Sequence, residues 1–468
     1  MCSRTYDRGE SLMTAAISST SIALRHQDVF SRVRRGRLIA AGAFALTVVY
    51  IIFSLFQFDL PGVARRWDPM RAAMFTVDLY AHKDHIMYEW EGDGNITVAF
   101  EGGYRHVYDE KPIWMSATAD GGTVVNFDGE GQFVIFPDRV EMRNWPDTDQ
   151  NLTVRRGADG RPYVEGFVGR SQDLPEWINV TENKVEARPS LFERLQVYPR
   201  KVEIHRYEMG WKYFWFDFDS PLVNMGFIEG VRLMFSDQPV RPGISNFDLV
   251  ISEFWNNSLW QHGIVLVALL ETLLMAILGT AIAALLGLPL AFVAARNVSP
   301  VAGVRFITRR LFDLLRGIDM LIWSLIFLRA FGPGLFTGIF AIGFTDTGTL
   351  GKLMSEAIEN ADRKEVDGVK SVGASKLQQH RFGIIPQILP IFVSQSLYYL
   401  ESNTRSAVII GAMGAGGIGL QFLGALQTGN DFENVAYMAI LILIMVIIMD
   451  TLSSRLRRAL IKMDTSRT

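Results

Sequence analysis

The sequence predicts an α-helical membrane protein with six transmembrane helices and a β-rich domain inserted, outside the cytoplasm, between the first and second helices. Three observations lead to this prediction. Apolar stretches of membrane length recur along the chain. The segments expected on the cytoplasmic side are rich in arginine and lysine. The long segment after the first apolar stretch has the alternation typical of strands.

Charge is distributed unevenly along the chain. The formal net charge is −3, but positions 61–260 hold 31 acidic and 21 basic residues, and the other positions hold 18 acidic and 25 basic ones. An acidic soluble block inside a basic membrane chain accounts for this difference. The single cysteine, Cys2, excludes an intramolecular disulfide, so the external block must be stabilised by its core alone.

The N-terminal region predicts a cytoplasmic tail followed by one span. Residues 1–37 are polar and contain seven arginines, which place this end inside. Residues 38–58 form the first predicted span, because the apolar run is too long for the hydrophobic region of a signal peptide. Residues 59–220 then form the acidic β-rich domain outside the cytoplasm.

Alternating and β-branched runs predict strands within this domain, at 96–100, 123–127, 132–136, 202–207 and 212–218. Five aromatic residues lie at its end: Trp211, Tyr213, Phe214, Trp215 and Phe216. They predict either an aromatic ligand site or, as we favour, a strand that packs on the core and faces the bilayer surface.

The remainder of the chain returns to the membrane. Residues 221–262 predict a helical segment at the membrane interface, and residues 263–451 predict a membrane core. Its spans are expected within 263–295 and at about 321–331, 335–354, 391–412 and 435–451. Residues 452–468 form a basic tail, so both termini are predicted to be cytoplasmic.

The polar loop 361–390 predicts two short helices broken at Gly373, where glycine supplies the positive φ that ends the first helix. Pro386 and Pro390 are expected to close the second helix before the chain re-enters the membrane. From the pattern alone, an amphipathic loop on the membrane surface remains an alternative.

This loop resembles the "EAA" loop of bacterial ABC-transporter permeases, in which an acidic residue is followed six places later by glycine and thirteen places after that by proline. Gly373 and Pro386 match the motif. The chain departs from it at residues 367–369, Asp-Gly-Val in place of Glu-Ala-Ala, and at Gly383 and Ile385, where isoleucine and leucine are usual.

Three further stretches, at 271–297, 348–360 and 405–419, make the chain similar to the phosphonate-type subfamily. The resemblance extends over the first span and from about residue 246 to the C-terminus, and it omits residues 70–220. It implies the membrane-spanning subunit of an ATP-driven importer for phosphonates or related organophosphorus anions. It also implies a multi-pass protein of the bacterial inner membrane.

The resemblance implies several partners. Cytoplasmic ABC ATPase subunits would dock on the loop at Asp367, Gly368, Gly373, Ala374 and Pro386, and a periplasmic binding protein would deliver substrate. A second permease copy, identical or paralogous, would complete the pathway within the lipid bilayer. Nothing in the resemblance implies a nucleic acid.

Polar residues within the fifth predicted span are candidates for the pathway. Glu401, Asn403 and Arg405 lie at a depth where a charge normally faces a partner or a water-filled cavity. Glu401 and Arg405 share one helix face and are expected to pair. Two interpretations stay open: a structural ion pair, or a polar lining in which the arginine fork binds an anion.

The sequence contains no G-x-x-x-x-G-K-[S/T] nucleotide loop, no nucleophile motif and no metal-ligand spacing of His, Cys and Asp. We therefore expect a protein that is not an enzyme and that has no cofactor. Three alternatives remain: a permease for another small solute such as phosphite or an amino acid, a membrane-anchored sensor that uses the external β domain, and an accessory protein that no longer transports.

Overall fold

The computed structural model describes residues 27–91, 94–100, 107–108, 110–127, 131–145, 151–166, 174–428 and 432–465. Residues 1–26 of the predicted N-terminal tail lie outside this range. The chain divides into two compact units, residues 1–72 and 73–468. The first contains helix α1, Gln27–Gln57, and helix α2, Leu60–Arg65. Helix α3, Pro69–Asp78, follows.

Twelve strands are described after α3, in two antiparallel sheets of six. The strands of the first sheet are β1 Ala81–Glu89, β2 Ile96–Phe100, β9 Ile178–Thr181, β10 Lys184–Ala187, β11 Glu193–Val197 and β12 Lys201–Met209. Those of the second are β3 Met115–Ala117, β4 Thr123–Phe127, β5 Gly131–Ile135, β6 Arg139–Arg143, β7 Leu152–Arg156 and β8 Pro162–Val164. The orders are β2-β1-β12-β11-β10-β9 and β3-β4-β5-β6-β7-β8.

The two sheets share one hydrophobic core. Ile86 and Ile204 from the first sheet and Val125 and Phe133 from the second are all fully buried in the same cluster. Successive side chains of a strand point to opposite faces, so each strand contributes alternate residues to this core. The domain therefore has its own apolar interior, built between residues 86 and 204.

Most of the predicted strands are confirmed. The strands at 96–100 and 123–127 have the predicted bounds, and those at 132–136 and 202–207 differ by one or two residues. The strand predicted at 212–218 is wrong, because these residues form turns. Side chains from other segments hold this stretch: Asn257 Nδ2 donates to Tyr213 O at 2.9 Å, and Trp260 Nε1 donates to Lys212 O at 3.1 Å.

Helices account for most of the described residues after 226. They are α4 Phe227–Met234, α5 Asn246–Trp255, α6 His262–Ala294, α7 Ala302–Gly317, α8 Met320–Phe331, α9 Leu335–Glu359, α10 Arg363–Ser371, α11 Lys376–Gln379, α12 Ile385–Ile410, α13 Gly417–Thr428 and α14 Phe432–Thr465. The interfacial segment predicted at 221–262 is helical only in α4 and α5. π-Helical turns adjoin α12 on both sides, His380–Ile384 and Gly411–Ala415.

Among the described residues, four helical stretches are long and apolar enough to cross a membrane: Ser31–Gln57, His262–Ala294, Lys376–Ala415 and Phe432–Ala459. They correspond to the predicted spans 1, 2, 5 and 6. The predicted third span falls on α8, which is apolar but has 12 residues. The predicted fourth span falls on α9, which has 25 residues.

More than half of the residues of helix α9 are buried. Its glycines let neighbouring elements approach closely: a Cβ atom at Gly351 would lie 2.3 Å from the Phe312 ring, and one at Gly348 would lie 2.8 Å from the backbone nitrogen of Arg316. Small residues at helix interfaces are a common feature of membrane bundles. Helix α9 therefore contributes packing surface where a lipid-facing helix would carry large apolar side chains.

An aromatic cluster joins the β domain to the helices. Trp211 and Phe214, from the turns after β12, contact Trp260 and Tyr437 with ring centroids 4.8–6.3 Å apart. His262 links these segments, with Nε2 2.6 Å from Phe214 O and Nδ1 2.9 Å from the Tyr437 hydroxyl. These aromatic residues pack against α6 and α14, so the prediction that they pack within a strand is wrong.

Candidate functional site

The loop between α9 and α12 forms a compact pair of short helices. Asp362 caps α10 by accepting a hydrogen bond from Lys364 N, and Ser375 and Gln378 form a capping box at the start of α11. Gly373 lies between the two helices with φ of +81°, and a Cβ atom there would meet nothing within 4 Å. The predicted break at Gly373 is confirmed, and its requirement for glycine is conformational.

The loop is anchored to the start of α12 by one amide side chain. Gln387 Oε1 accepts from Asp362 N at 2.8 Å, and Gln387 Nε2 donates to Gly383 O at 2.6 Å. At Gly383 a Cβ atom would lie 3.0 Å from Val366 Cα, so a larger residue would force α10 away. This close approach explains why the chain has glycine where the EAA motif usually has isoleucine.

The structure places the predicted docking residues on different parts of the loop. Asp367 and Gly368 are exposed on α10, and Ala374 is half-buried beside the Gly373 turn. Pro386 lies in the first turn of α12, directly after the π-helical turn His380–Ile384, and Pro390 lies inside that helix. The prediction that these two prolines close the second short helix is therefore wrong.

Three large apolar side chains of the loop are exposed, and the sequence analysis did not single them out. Val372, Leu377 and Phe382 are exposed to 83%, 77% and 59%. Lys370, Lys376 and Arg381 lie next to them or two residues away in the sequence, so they do not belong to a continuous apolar belt. Exposed apolar residues grouped on a polar segment are typical of a protein contact.

The predicted ion pair in α12 has a third member from a distant helix. Arg405 Nη2 lies 3.4 Å from Glu401 Oε1, which confirms the expected pairing. Arg457, on α14, donates from Nη2 to Glu401 Oε2 at the shorter distance of 3.0 Å. The Glu401 side chain is 11% exposed, whereas the Arg405 side chain is 50% exposed. Glu401 therefore joins two helices, and half of the Arg405 side-chain surface remains accessible.

Asn403 belongs to a separate buried cluster. Its Nδ2 donates to Asp346 Oδ2 on α9 at 2.6 Å and to Thr280 Oγ1 on α6 at 2.8 Å. All three residues are buried. These hydrogen bonds give partners to buried polar groups, whose burial without partners would destabilise the folded protein. They also fix α6, α9 and α12 relative to one another.

A polar pocket of about 640 Å³ lies at the start of α6. Asn257, Ser258, Gln261 and Glu271 line it, and Gln421 of α13 completes the wall. Beside it the glycine-rich segment breaks the helix, because Gly414 and Gly416 have φ of +110° and +90°. The chain thus changes direction between α12 and α13 next to this pocket.

Comparison with known proteins places residues 287–462 in the family described as binding-protein-dependent transport system inner membrane component. The phosphite transport system permease protein PtxC of Stutzerimonas stutzeri is 38% identical over 190 residues, which are 41% of this chain and 69% of that protein. The phosphate-import permease protein PhnE of Mycolicibacterium smegmatis is 35% identical over 197 residues, 42% of this chain and 36% of that protein.

A chain of the methionine ABC transporter MetNI, in an inward-facing conformation, is 20% identical, with a TM-score of 0.38. The match covers 42% of this chain and 96% of that one. The family region found in this chain contains both the two-helix loop and the Glu401 ion pair.

Proposed function

Because this chain belongs to the binding-protein-dependent transport system inner membrane components, and among them to the phosphonate-type ABC permeases, we propose a specific function for it. It is the membrane-spanning subunit of an ATP-driven importer for phosphonates or related phosphorus oxyanions. The observation that carries this proposal is the compact loop α10–α11, which presents Val372, Leu377 and Phe382 to solvent. Relatives named for phosphite and for phosphate import support the class of substrate.

The loop is proposed to receive a separate ATPase subunit. An ATPase groove that covers Val372, Leu377 and Phe382 would remove their apolar surface from water, which favours association. Helices α10 and α11 are capped, and α10 is tied to α12 through Gln387, so movement of the ATPase would be transmitted to that helix. ATP hydrolysis would then occur on the partner, and this chain would provide the pathway.

Arg405 is proposed to contact the anion. Its side chain is half exposed, although Glu401 lies nearby, and the planar fork of donors of an arginine matches the oxygens of a phosphonate group. The carboxylate of Glu401 is shared with Arg457, so Arg405 is not required to neutralise it alone. Asn403 is buried, with its amide engaged by Asp346 and Thr280. We therefore assign Asn403 to the support of the helices and leave the pathway role to Arg405.

The topology is part of the proposal. We infer six spans, with both termini in the cytoplasm and the β domain on the outer side of the bacterial inner membrane. This arrangement agrees with the acidic excess at 61–260 and with the basic C-terminal tail. A second permease copy, identical or paralogous, would complete the pathway. Labelling of single cysteines, introduced at Asp120 and at Lys376 in a Cys2→Ser background, tests the topology. Labelling of position 376 from the outer side would contradict it.

The function is tested by reconstituting the chain in proteoliposomes with its ATPase and its binding protein. Methylphosphonate or phosphite is expected to stimulate both uptake and ATP hydrolysis, whereas methionine serves as the unrelated solute. Stimulation by phosphite alone would narrow the substrate to inorganic oxyanions. Stimulation by methionine alone, or ATP hydrolysis that ignores every solute, would exclude an importer of phosphorus oxyanions.

The β domain is proposed to dock or shield the binding protein. Many of its basic groups already have carboxylate partners: Arg139 pairs with Glu141 at 2.7 Å, and Arg194 pairs with Glu186 at 2.7 Å. An acidic surface repels anions. Direct capture of substrate by this domain is therefore disfavoured, and this argues against the sensor alternative.

The segment 70–220, expressed alone, is expected to fold as a soluble β domain, because the core cluster is built only from residues 86–204 and their neighbours. It is also expected to bind phosphonates weakly or not at all. Circular dichroism tests the fold, and isothermal titration calorimetry tests the binding. A mainly helical spectrum would refute the first expectation. Micromolar phosphonate affinity would refute the second and favour a ligand sensor.

The same segment provides a prediction for pH. His82 is buried, and this burial, reinforced by the Lys212 ammonium, lowers the pKa of its imidazole from 6.5 to about 4. Between these two values the unfolded chain binds a proton that the folded chain does not bind. The contribution of His82 to the free energy of unfolding is therefore fully present above pH 6.5. It is lost as the pH falls toward 4, by up to about 3 kcal/mol.

Urea unfolding of the segment between pH 7 and pH 4.5 measures this effect, with intrinsic tryptophan fluorescence as the signal. His82→Gln is expected to flatten the pH dependence, because glutamine does not titrate. An identical pH dependence in His82→Gln and the unmodified segment would show that His82 is not responsible.

A further inference from the structure

Strands β1 and β12 bring two histidines and one glutamate together on one face of the first sheet. His85 and His205 are directly opposite each other in the antiparallel register. Glu203 lies two residues before His205, and alternate residues of a strand share a face. The two histidines are far apart in the sequence, so no spacing motif could indicate this cluster.

The three side chains lie close enough to one another to serve as a small ligand set. The two imidazole rings are stacked, with centroids 4.6 Å apart and planes inclined by 11°. One ligand atom from each of His85, Glu203 and His205 lies within 4.8 Å of the others, and His85 Nε2 is 3.9 Å from Glu203 Oε1. Glu203 and His205 are buried, and His85 is half-buried.

We propose that His85, Glu203 and His205 bind one divalent transition-metal cation, with Zn²⁺ as the best-fitting ion. Two imidazoles and one carboxylate are a ligand set that Zn²⁺ accepts, with solvent or a further group in the fourth position. Zinc–ligand distances of roughly 2.0–2.2 Å require the three donor atoms to draw together from their present separations. The cation would join the first and the last strand of the domain in a chain that has a single cysteine.

A lysine competes with the cation for the carboxylate. Lys201 Nζ lies 2.5 Å from Glu203 Oε1, and its side chain is 45% exposed. Because the stem of lysine is flexible, the ammonium can turn into solvent or toward the Tyr198 ring, whose centroid is 5.7 Å away. Removal of this ammonium should therefore strengthen binding of the metal.

A second cluster on the same strands, His82, Asp84 and Glu208, is less suited to a cation. It contains one imidazole, and Glu208 Oε2 lies 3.2 Å from Arg206 Nη1 and 3.9 Å from Lys212 Nζ. Zn²⁺ favours the cluster with two imidazoles, because nitrogen ligands suit this borderline-soft ion. This second cluster provides the control.

The experiment uses the full chain, purified in detergent with a tag that contains no histidine, and treated with a chelator. Calorimetric titration with ZnCl₂ near neutral pH is expected to show one saturable site. His85→Gln should weaken this site at least about tenfold, which is the loss seen when even an outer-shell partner of a metal site is removed. His82→Gln should leave the affinity unchanged, and Lys201→Met should increase it several-fold.

Each outcome bears on the proposal. His85 is chosen because it is the most exposed of the three side chains, so its replacement should preserve the fold; the tryptophan fluorescence spectrum verifies this. The gain expected for Lys201→Met cannot arise from misfolding. Absence of saturable Zn²⁺ binding by the unmodified chain would overturn the proposal. So would equal affinity in His85→Gln, or a loss seen only in His82→Gln.

Discussion

Gly373→Val is expected to abolish most substrate uptake while the protein still inserts into the membrane. The residue has φ of +81°, a conformation that costs a β-branched side chain on the order of 1–3 kcal/mol. To relieve this strain, the turn must open, which changes the orientation of α10 relative to α11. Uptake into proteoliposomes and co-purification of the ATPase measure the effect, and both should fall together.

Gly303→Val is the matched control for this substitution, because Gly303 lies outside the loop that is expected to receive the ATPase. Gly303 lies within α7, is also exposed, and a Cβ atom there would also meet nothing within 4 Å. It differs from Gly373 in its helical conformation, where valine costs less than about 1 kcal/mol. Near-normal uptake is expected for Gly303→Val. Equal loss in both variants, or unchanged uptake in Gly373→Val at normal expression, would contradict a conformational role for Gly373 in coupling.

Arg457→Ala and Arg405→Ala are expected to have different consequences, although both arginines contact Glu401. Arg457 is the closer partner at 3.0 Å, and its removal leaves a largely buried carboxylate with one exposed arginine at 3.4 Å. This should cost about 1–3 kcal/mol and reduce the amount of folded protein. Arg405→Ala should change stability by less than about 1 kcal/mol, because the Arg405 side chain is half exposed.

Arg405→Ala should instead impair uptake of the anion in a protein that is folded. Thermal unfolding in detergent and uptake into proteoliposomes distinguish the two effects, and Arg405→Lys, which retains the charge without the fork, should restore uptake only in part. Full uptake by Arg405→Ala would remove the arginine from the pathway. Exchange of Glu401 and Arg405 does not isolate their pair, because Arg457 would then face an arginine.

Several features of the chain follow from signals that extend over only a few residues. The long helices at Gln27–Gln57, His262–Ala294 and Phe432–Thr465 contain the apolar runs that predict spans. The strands at Ile96–Phe100 and Thr123–Phe127 have the predicted bounds, since alternation specifies which face is buried. The break at Gly373 depends on the backbone freedom of a single residue.

Other predictions failed where contacts between distant segments decide the outcome. Residues 212–218 have the composition of a strand, but Asn257 and Trp260 hold their carbonyl groups in turns. Pro386 was expected to end a helix, yet it begins one, because a proline fits the first turn of a helix as well as the position after its end.

The amino-acid sequence by itself determined the kind of protein, the positions of its apolar helices and the two-helix loop, because hydrophobicity, alternation and turn chemistry act locally. Only the tertiary structure decided which polar groups meet. Arg457 reaches Glu401, Asn403 reaches Asp346 and Thr280, and His85 reaches His205. In the helical region these contacts join residues 56 to 123 positions apart and connect α12 to three other helices. Such partners depend on how helices and strands pack against one another, and a local sequence pattern does not specify that packing.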